Sequence, residues 1–317
     1  MTKYLLRRLL ATIPVVVVTS IILFVVMRVL PGDPIIMIAG EAQSDISPDL
    51  LERLRQENDL DKPIYVQYVT WARKILSGDL GRSIRSRQPV INVLVPRLLP
   101  TIQIGLMAWL TALIIAIPVG VMSATSPNSW KDWLGTVGAL VGAAMPYFLL
   151  GGVLIYVVAL RLRWLPASGY VSPLVDPLQS LKVSLMPAVT LGLGLAAVTT
   201  RQARSGLVEV LQQPYVTTAR AKGLRERRVI LGHAFKNGML PVVTILGIQL
   251  GNLLGGAVIT ETIFAVPGTG RLLVEAIFSR DYAIVQAVVL LISFAVVFAN
   301  LAVDLVYGYL DPRIRLS

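Results

Sequence analysis

The chain is 317 residues long, 55% hydrophobic and only 15% charged, against about a quarter charged in soluble domains, which excludes an ordinary water-soluble globule. Its net charge of +11 does not mark a nucleic-acid surface, because the basic residues gather in short segments between long uncharged runs. It has no cysteine, and so no disulfide, thiolate nucleophile or thiolate metal site.

Uncharged runs extend over Leu9–Met27, Leu98–Trp130, Trp133–Leu160, Val183–Thr200, Asn237–Thr260 and Tyr282–Val303, and each supplies the roughly 20 apolar residues of a spanning helix. They predict an all-α, polytopic membrane protein with six transmembrane helices. The first, with its tail, covers 1–30; it outlasts a signal peptide's apolar core, and Pro31, Gly32, Asp33 and Pro34 stand where a cleavage site would lie. Residues 31–98 balance acidic against basic groups and form a small extracytoplasmic helical insertion. Within it Ser47 and Pro48 start a helix over Asp49–Asn58, and a second helix runs from Pro63 until Gly78 stops it. The five-helix core follows over 99–317, with spans at 99–125, 134–160, 183–204, 237–260 and 283–308. Ser126, Pro127 and Asn128 turn the chain between the second and third spans.

The basic residues set the orientation. Lys3, Arg7 and Arg8 precede the first span, Lys131 lies between the second and third, and Arg313 and Arg315 close the chain. The densest group is Arg201, Arg204, Arg220, Lys222, Arg225, Arg227, Arg228 and Lys236, set against only Glu209 and Glu226. Positive segments stay inside, so both termini and the loop over 205–236 are expected to be cytoplasmic.

That loop is more than a charged connection. Gln213 and Pro214 break the helix before it, Tyr215 begins a short helix, and Arg220 and Lys222 suit that helix's negative end. Gly223 stops it, since the left-handed conformation of such a stop costs a residue with a Cβ roughly 1–2 kcal/mol. A second helix carries an apolar stripe of Val229, Ile230, Ala234 and Phe235 into the fifth span. The product is a helix-turn-helix elbow beside the membrane, a docking peg by shape. A lipid-attracted basic segment or a bare topology signal has the same composition.

Catalytic chemistry is missing. The single histidine, His233, has no metal-binding or nucleophilic partner pattern around it, and no Gly-Lys pair exists to build a phosphate loop. Ionisable groups within spans are few: Glu261 and Asp304, both placed near an interface where a charge reaches water. Gln249, Asn252 and Asn300 lie deeper, as pathway-lining candidates or as helix–helix hydrogen-bonding groups. Gly247, Gly251 and Gly255, and Gly138 and Gly142, allow close helix approach.

The run TARAKG over 218–223, with Leu240 and Pro241 closing the segment, resembles the EAA loop of ABC importer permeases. Thr218, Ala219 and Arg220 stand in place of the generic Glu-Ala-Ala, as in the peptide and nickel branch. The likeness extends along the chain through RRLLATIP and VLPGDP, DKPIYVQYVTWARKILSGDLGRS, RWLPASGY, ETIFAVPGTGRLL and RDY. It is similar to the first-type permease of a dipeptide, oligopeptide, glutathione or nickel importer.

That resemblance implies a type I importer permease fold in a bacterial inner membrane and a transport subunit that is not itself an enzyme. ATP and Mg would be bound by one or two kinds of partner ATPase chain. The other implied partners are a homologous second permease and an extracytoplasmic solute-binding protein that delivers a peptide; glutathione, nickel or another small solute is the alternative cargo. It also implies that Tyr215, Thr218, Ala219, Arg220, Ala221, Lys222, Gly223, Leu224, Glu226 and Pro241 form the ATPase-coupling element. An ATP-independent secondary transporter is the rival reading.

Overall fold

The computed structural model describes residues 2–29 and 61–310, with side chains at 2–9, 29, 252–256 and 303–310 outside the described set. The expected helix over Asp49–Asn58 and the chain's last residues lie outside it as well. Among the described residues the regular structure is helical, with one isolated bridge between Arg82 and Pro89.

Helix α1 spans Thr2–Val29, α2 Ile64–Leu76 and α3 Val90–Thr125. After a turn, α4 covers Trp130–Ala144 and α5 Tyr147–Leu154, the latter continuing as a π-helical turn over Ile155–Arg161. Helix α6 runs Pro177–Leu211 and α7 Pro214–Ala221. Next come α8, Glu226–Arg228, a π turn over Val229–Ala234 and α9, Phe235–Gly238. Helix α10 spans Leu240–Ile263, α11 Thr269–Phe278 and α12 Tyr282–Leu310. Among the described residues four helices are long and apolar enough to cross a membrane alone, and the count reaches six when two bent helix pairs are each taken as one span.

One of those pairs corrects the sequence reading. The third span was expected as one helix over 134–160; instead α4 and α5 meet at 103°. Pro146 has no N–H to continue the ladder and pushes the residue before it out of the helical region. Met145 is accordingly extended, with ψ of 121°. Proline alone does not decide this: α3 contains Pro96, Pro100 and Pro118 and stays helical throughout.

The centre of the bundle is the pairing of α3 with α6. Ala108, Ala112, Ala116 and Gly120 recur every fourth residue on α3 and all are buried, making one smooth face. Opposite them lie Gly192, Ala196 and Ala203 of α6, also buried. A methyl on Gly192 would stand 2.7 Å from the Ala108 carbonyl oxygen, so backbone meets backbone here. The glycine pattern foreseen on the fifth span is used once in the described contacts: Gly251 faces Ala299 of α12, where a Cβ would come within 3.1 Å. Gly142 faces α6 in ordinary contact, and Gly138 faces open space.

At the end of the bundle away from the elbow, α1, the start of α3, α11 and α12 share a core of Leu23, Met27, Val90, Leu94, Leu272, Ala276 and Val288, with Trp71 of α2 packed on it. Phe24 is buried there against the rings of Tyr68 and Trp71. Large apolar residues such as Ile13, Val18, Ile22 and Val26 remain exposed along α1. In a bilayer a face of this kind can be covered by acyl chains or by another spanning helix at no cost in polar groups.

Candidate coupling elbow and buried polar clasps

The elbow is built by two chain stops and one apolar seam. Pro214 occupies the first turn of α7, where its missing N–H is harmless. Gly223 ends the helix at φ of +74°, the left-handed stop foreseen from the sequence. Val216 and Ala219, three residues apart on α7, are buried together with Val229, Ala234 and Met239. These side chains form one cluster with Ala124 of α3, Ala203 and Leu207 of α6, and Val242 and Leu246 of α10. The back of the elbow is thus cemented to the ends of three spans.

Its front is open. Tyr215, Thr218, Arg220, Ala221, Lys222, Gly223 and Glu226 are exposed. Ala219 departs from the surface role expected for it: at 6% exposure it is an anchor. Leu224 is half-buried against the same seam, and Pro241 opens the first turn of α10. Arg220 and Glu226 clamp the turn from either side, Nη2 donating to Oε1 at 2.7 Å. That hydrogen bond from the guanidinium holds the Glu226 carboxyl below its ordinary range and raises Arg220. Tyr215 accepts from Asn237 Nδ2 at 2.9 Å, tying the start of α7 to the end of the elbow.

A second close contact sets the elbow's distance from the bundle. Gly206 of α6 and Gly238 of α9 are both buried. A Cβ on Gly206 would lie 2.5 Å from the Gly238 carbonyl oxygen, and one on Gly238 would lie 3.0 Å from Leu207 Cα. The two backbones therefore touch, and glycine is the residue that permits it.

Three buried polar clasps were not assembled by the sequence reading. Asp132, 5% exposed, receives both Nε and Nη2 of Arg204, the latter at 2.7 Å, which pins α4 to α6. The Asn128 backbone N–H donates to the same carboxylate at 3.0 Å, closing the turn before α4. Glu261, expected near water, is instead 0% exposed. Its carboxylate accepts from Thr101 Oγ1 at 2.6 Å and from the Arg271 N–H at 2.9 Å. Gly268 and Gly270 fold over it so closely that a Cβ at either would strike the carboxylate. The third clasp is Asp281, 1% exposed, which accepts from Ser83 Oγ and from the Ile284 N–H at the start of α12.

Of the pathway candidates, Gln249 is spent on helix packing: Nε2 donates to the Leu195 carbonyl and to Thr199 Oγ1 of α6, each at 3.1 Å. Asn300 is exposed on α12. The side chains of Asn252 and Asp304 lie outside the described set.

Family models account for nearly the whole length. Residues 1–105 match the N-terminal part, and residues 116–316 the main part, of the binding-protein-dependent transport system inner membrane component. The chain belongs to this family. The permease is 40% identical over 338 residues to the dipeptide transport system permease protein DppB of Escherichia coli K12, with 99% of each chain covered. It is 39% identical over 316 residues to the glutathione transport system permease protein GsiC of Salmonella paratyphi A, again with 99% of each covered. Among solved structures, an inward-facing form of the MetNI methionine ABC transporter aligns with a TM-score of 0.58 at 16% identity, covering 69% of the permease and 96% of that chain. That likeness fixes the type I importer permease fold. The permease is a multi-pass inner-membrane transport subunit of an ABC importer.

Proposed function

We propose that the elbow over Pro214–Gly238 is the element through which an ATP-hydrolysing partner drives this permease, and that the cargo is a dipeptide or short oligopeptide. The observation that carries the proposal is the elbow's two-sidedness. Its rear is buried in one apolar seam with the ends of α3, α6 and α10, and its front presents Thr218, Arg220, Ala221 and Lys222 around an exposed turn. A solvated loop needs no such seam. A partner that grips the front and binds its two arrangements unequally shifts all three spans together.

In this reading ATP and Mg reside in one or two kinds of partner subunit, a homologous second permease completes the pathway, and the elbow and both termini face the cytoplasm. A solute-binding protein rests on the opposite side, against Arg82, Arg85 and Arg87 and the turn over Pro267–Arg271. Relatives carrying dipeptide and glutathione names share nearly the same identity, so glutathione is the second cargo to test.

The absence of cysteine makes the test direct. Ala221→Cys, co-expressed with the ATP-binding chains, labelled at its thiol with a benzophenone maleimide and irradiated so that the benzophenone inserts into a neighbouring C–H bond, is expected to crosslink to one of them, and more strongly in one nucleotide state. A crosslink confined to lipid or to the second permease overturns the proposal. Binding of dialanine and glutathione to the cognate solute-binding protein decides the cargo.

A further inference from the structure

Beside the turn that ends α3, between α4 and the second half of α6, lies a cavity of about 280 Å3. Ala139, Leu140, Ala143 and Val198 give it apolar walls, and Ser123 and Arg201 line it with polar groups. Arg204 also borders it, but its charge is matched by Asp132. Arg201, one turn earlier on α6, is exposed and has no acidic partner among the described residues. Ser123 is 0% exposed and its hydroxyl has no hydrogen-bond partner. That hydroxyl is closed off by the Gly135 backbone, where a Cβ would come within 2.2 Å of it, so it lies behind the cavity wall and the accessible cation is Arg201.

The depth of the cavity identifies the filler. Trp130 and Trp133, 69% and 64% exposed, stand at the start of α4, and Lys131 Nζ lies 6.0 Å from the Trp130 ring centroid. Exposed tryptophans with a lysine mark the headgroup level of a bilayer. The residues lining the cavity from α4 begin at Gly135, one turn deeper along the same helix. The site combines an unmatched guanidinium just below the headgroups with an apolar wall continuing inward past the 66%-exposed Leu140. Water alone would leave the arginine's charge and the apolar wall unmatched.

We propose that this cavity binds an anionic phospholipid. Arg201 takes the phosphate at the mouth, and the first part of one acyl chain lies along Ala139, Leu140 and Ala143. Basic pockets between spanning helices are established binding places for acidic headgroups. The site is separate from the elbow's exposed front, and its occupant braces the α4–α6 contact that the Asp132–Arg204 pair also holds.

The full-length permease, purified with its partner chains in nanodiscs of mixed phosphatidylethanolamine and phosphatidylglycerol, is released and weighed by native mass spectrometry. Wild type is expected to retain phosphatidylglycerol over phosphatidylethanolamine by about fivefold, the ratio one basic side chain near an anionic surface supports. Arg201→Gln is expected to abolish that preference and Arg201→Lys to keep it. Ala139→Leu, which fills the wall and leaves the charge, is expected to lower phosphatidylglycerol retention. An unchanged preference in both Arg201→Gln and Ala139→Leu overturns the proposal. So does displacement of the lipid by soluble glycerol phosphate or by dialanine, which would assign the cavity to a free anion or to the transported solute.

Discussion

Replacing Gly206 by alanine should uncouple transport from ATP hydrolysis without preventing insertion. The added Cβ would stand 2.5 Å from the Gly238 carbonyl oxygen, about 0.8 Å inside the roughly 3.3 Å at which a C–H group meets such an oxygen. Pro241 Cγ, at 3.4 Å, blocks escape on that side. Neither obstacle is the free end of a flexible side chain, so α6 and the elbow must separate, at a cost of about 1–3 kcal/mol. Against this, alanine improves helix propensity by up to about 1 kcal/mol. With that gain subtracted in full, the clash wins by up to about 2 kcal/mol, a factor of up to roughly 30 in the ratio of seated to unseated elbow. The assay is solute uptake per ATP hydrolysed in the reconstituted complex, which should fall about fivefold, the centre of that range, while the amount of protein in the membrane stays near wild type. Gly138→Ala is the control: its Cβ would meet nothing within 4 Å, so it should gain propensity alone and transport normally. If Gly206→Ala behaves like Gly138→Ala in both thermal unfolding and uptake, the elbow does not depend on this contact and the reasoning fails.

Gly223→Val should cost about 1–2 kcal/mol through its φ of +74° and lower coupling, whereas Gly223→Asn, which tolerates that conformation, should lose less; uptake per ATP in both variants ranks them. Glu261→Gln turns an acceptor against the buried Arg271 N–H into a donor or loses its charge, and should cost about 1–3 kcal/mol. Limited proteolysis within 264–270 should speed up accordingly, and wild-type resistance there would show that the carboxylate does not hold the turn. Asp132→Ala leaves Arg204 unpaired and should destabilise by roughly 3 kcal/mol, the low end for a buried pair because Arg204 keeps 32% of its side chain exposed. Thermal unfolding of Asp132→Ala beside Asp132→Ala/Arg204→Leu checks this, the double variant being the more stable of the two.

The spans were legible because a bilayer demands long uncharged runs, and composition alone reveals those. The stop at Gly223 was legible too, since glycine after a basic last turn has a local meaning. The break at Pro146 was not, because apolar residues continue on both sides of it and α3 accommodates three prolines without breaking. Asp132 and Arg204 lie far apart in the chain, so Arg204 reads as one more orienting charge until the fold brings them together. Glu261 sits at a span's end, where water is the natural expectation; the glycines that fold back over it come later in the chain and show no sign of their destination. The ladder on α3 is written in the sequence as alanine every fourth residue, a small-residue signal as strong as glycine for close helix packing.

The core that joins α1 to α12 has a consequence for how the chain is made. Ribosomes add roughly 5–20 residues per second. The first helix therefore enters the bilayer tens of seconds before its last neighbour has been synthesised. Throughout that lag Leu23 and Met27 have Trp71, Val90 and Leu94 of their core but none of its α11 or α12 residues, and Ser83 waits 198 residues for Asp281. Birth order and packing order run opposite ways in this molecule, so truncation near its end should expose its beginning to quality control.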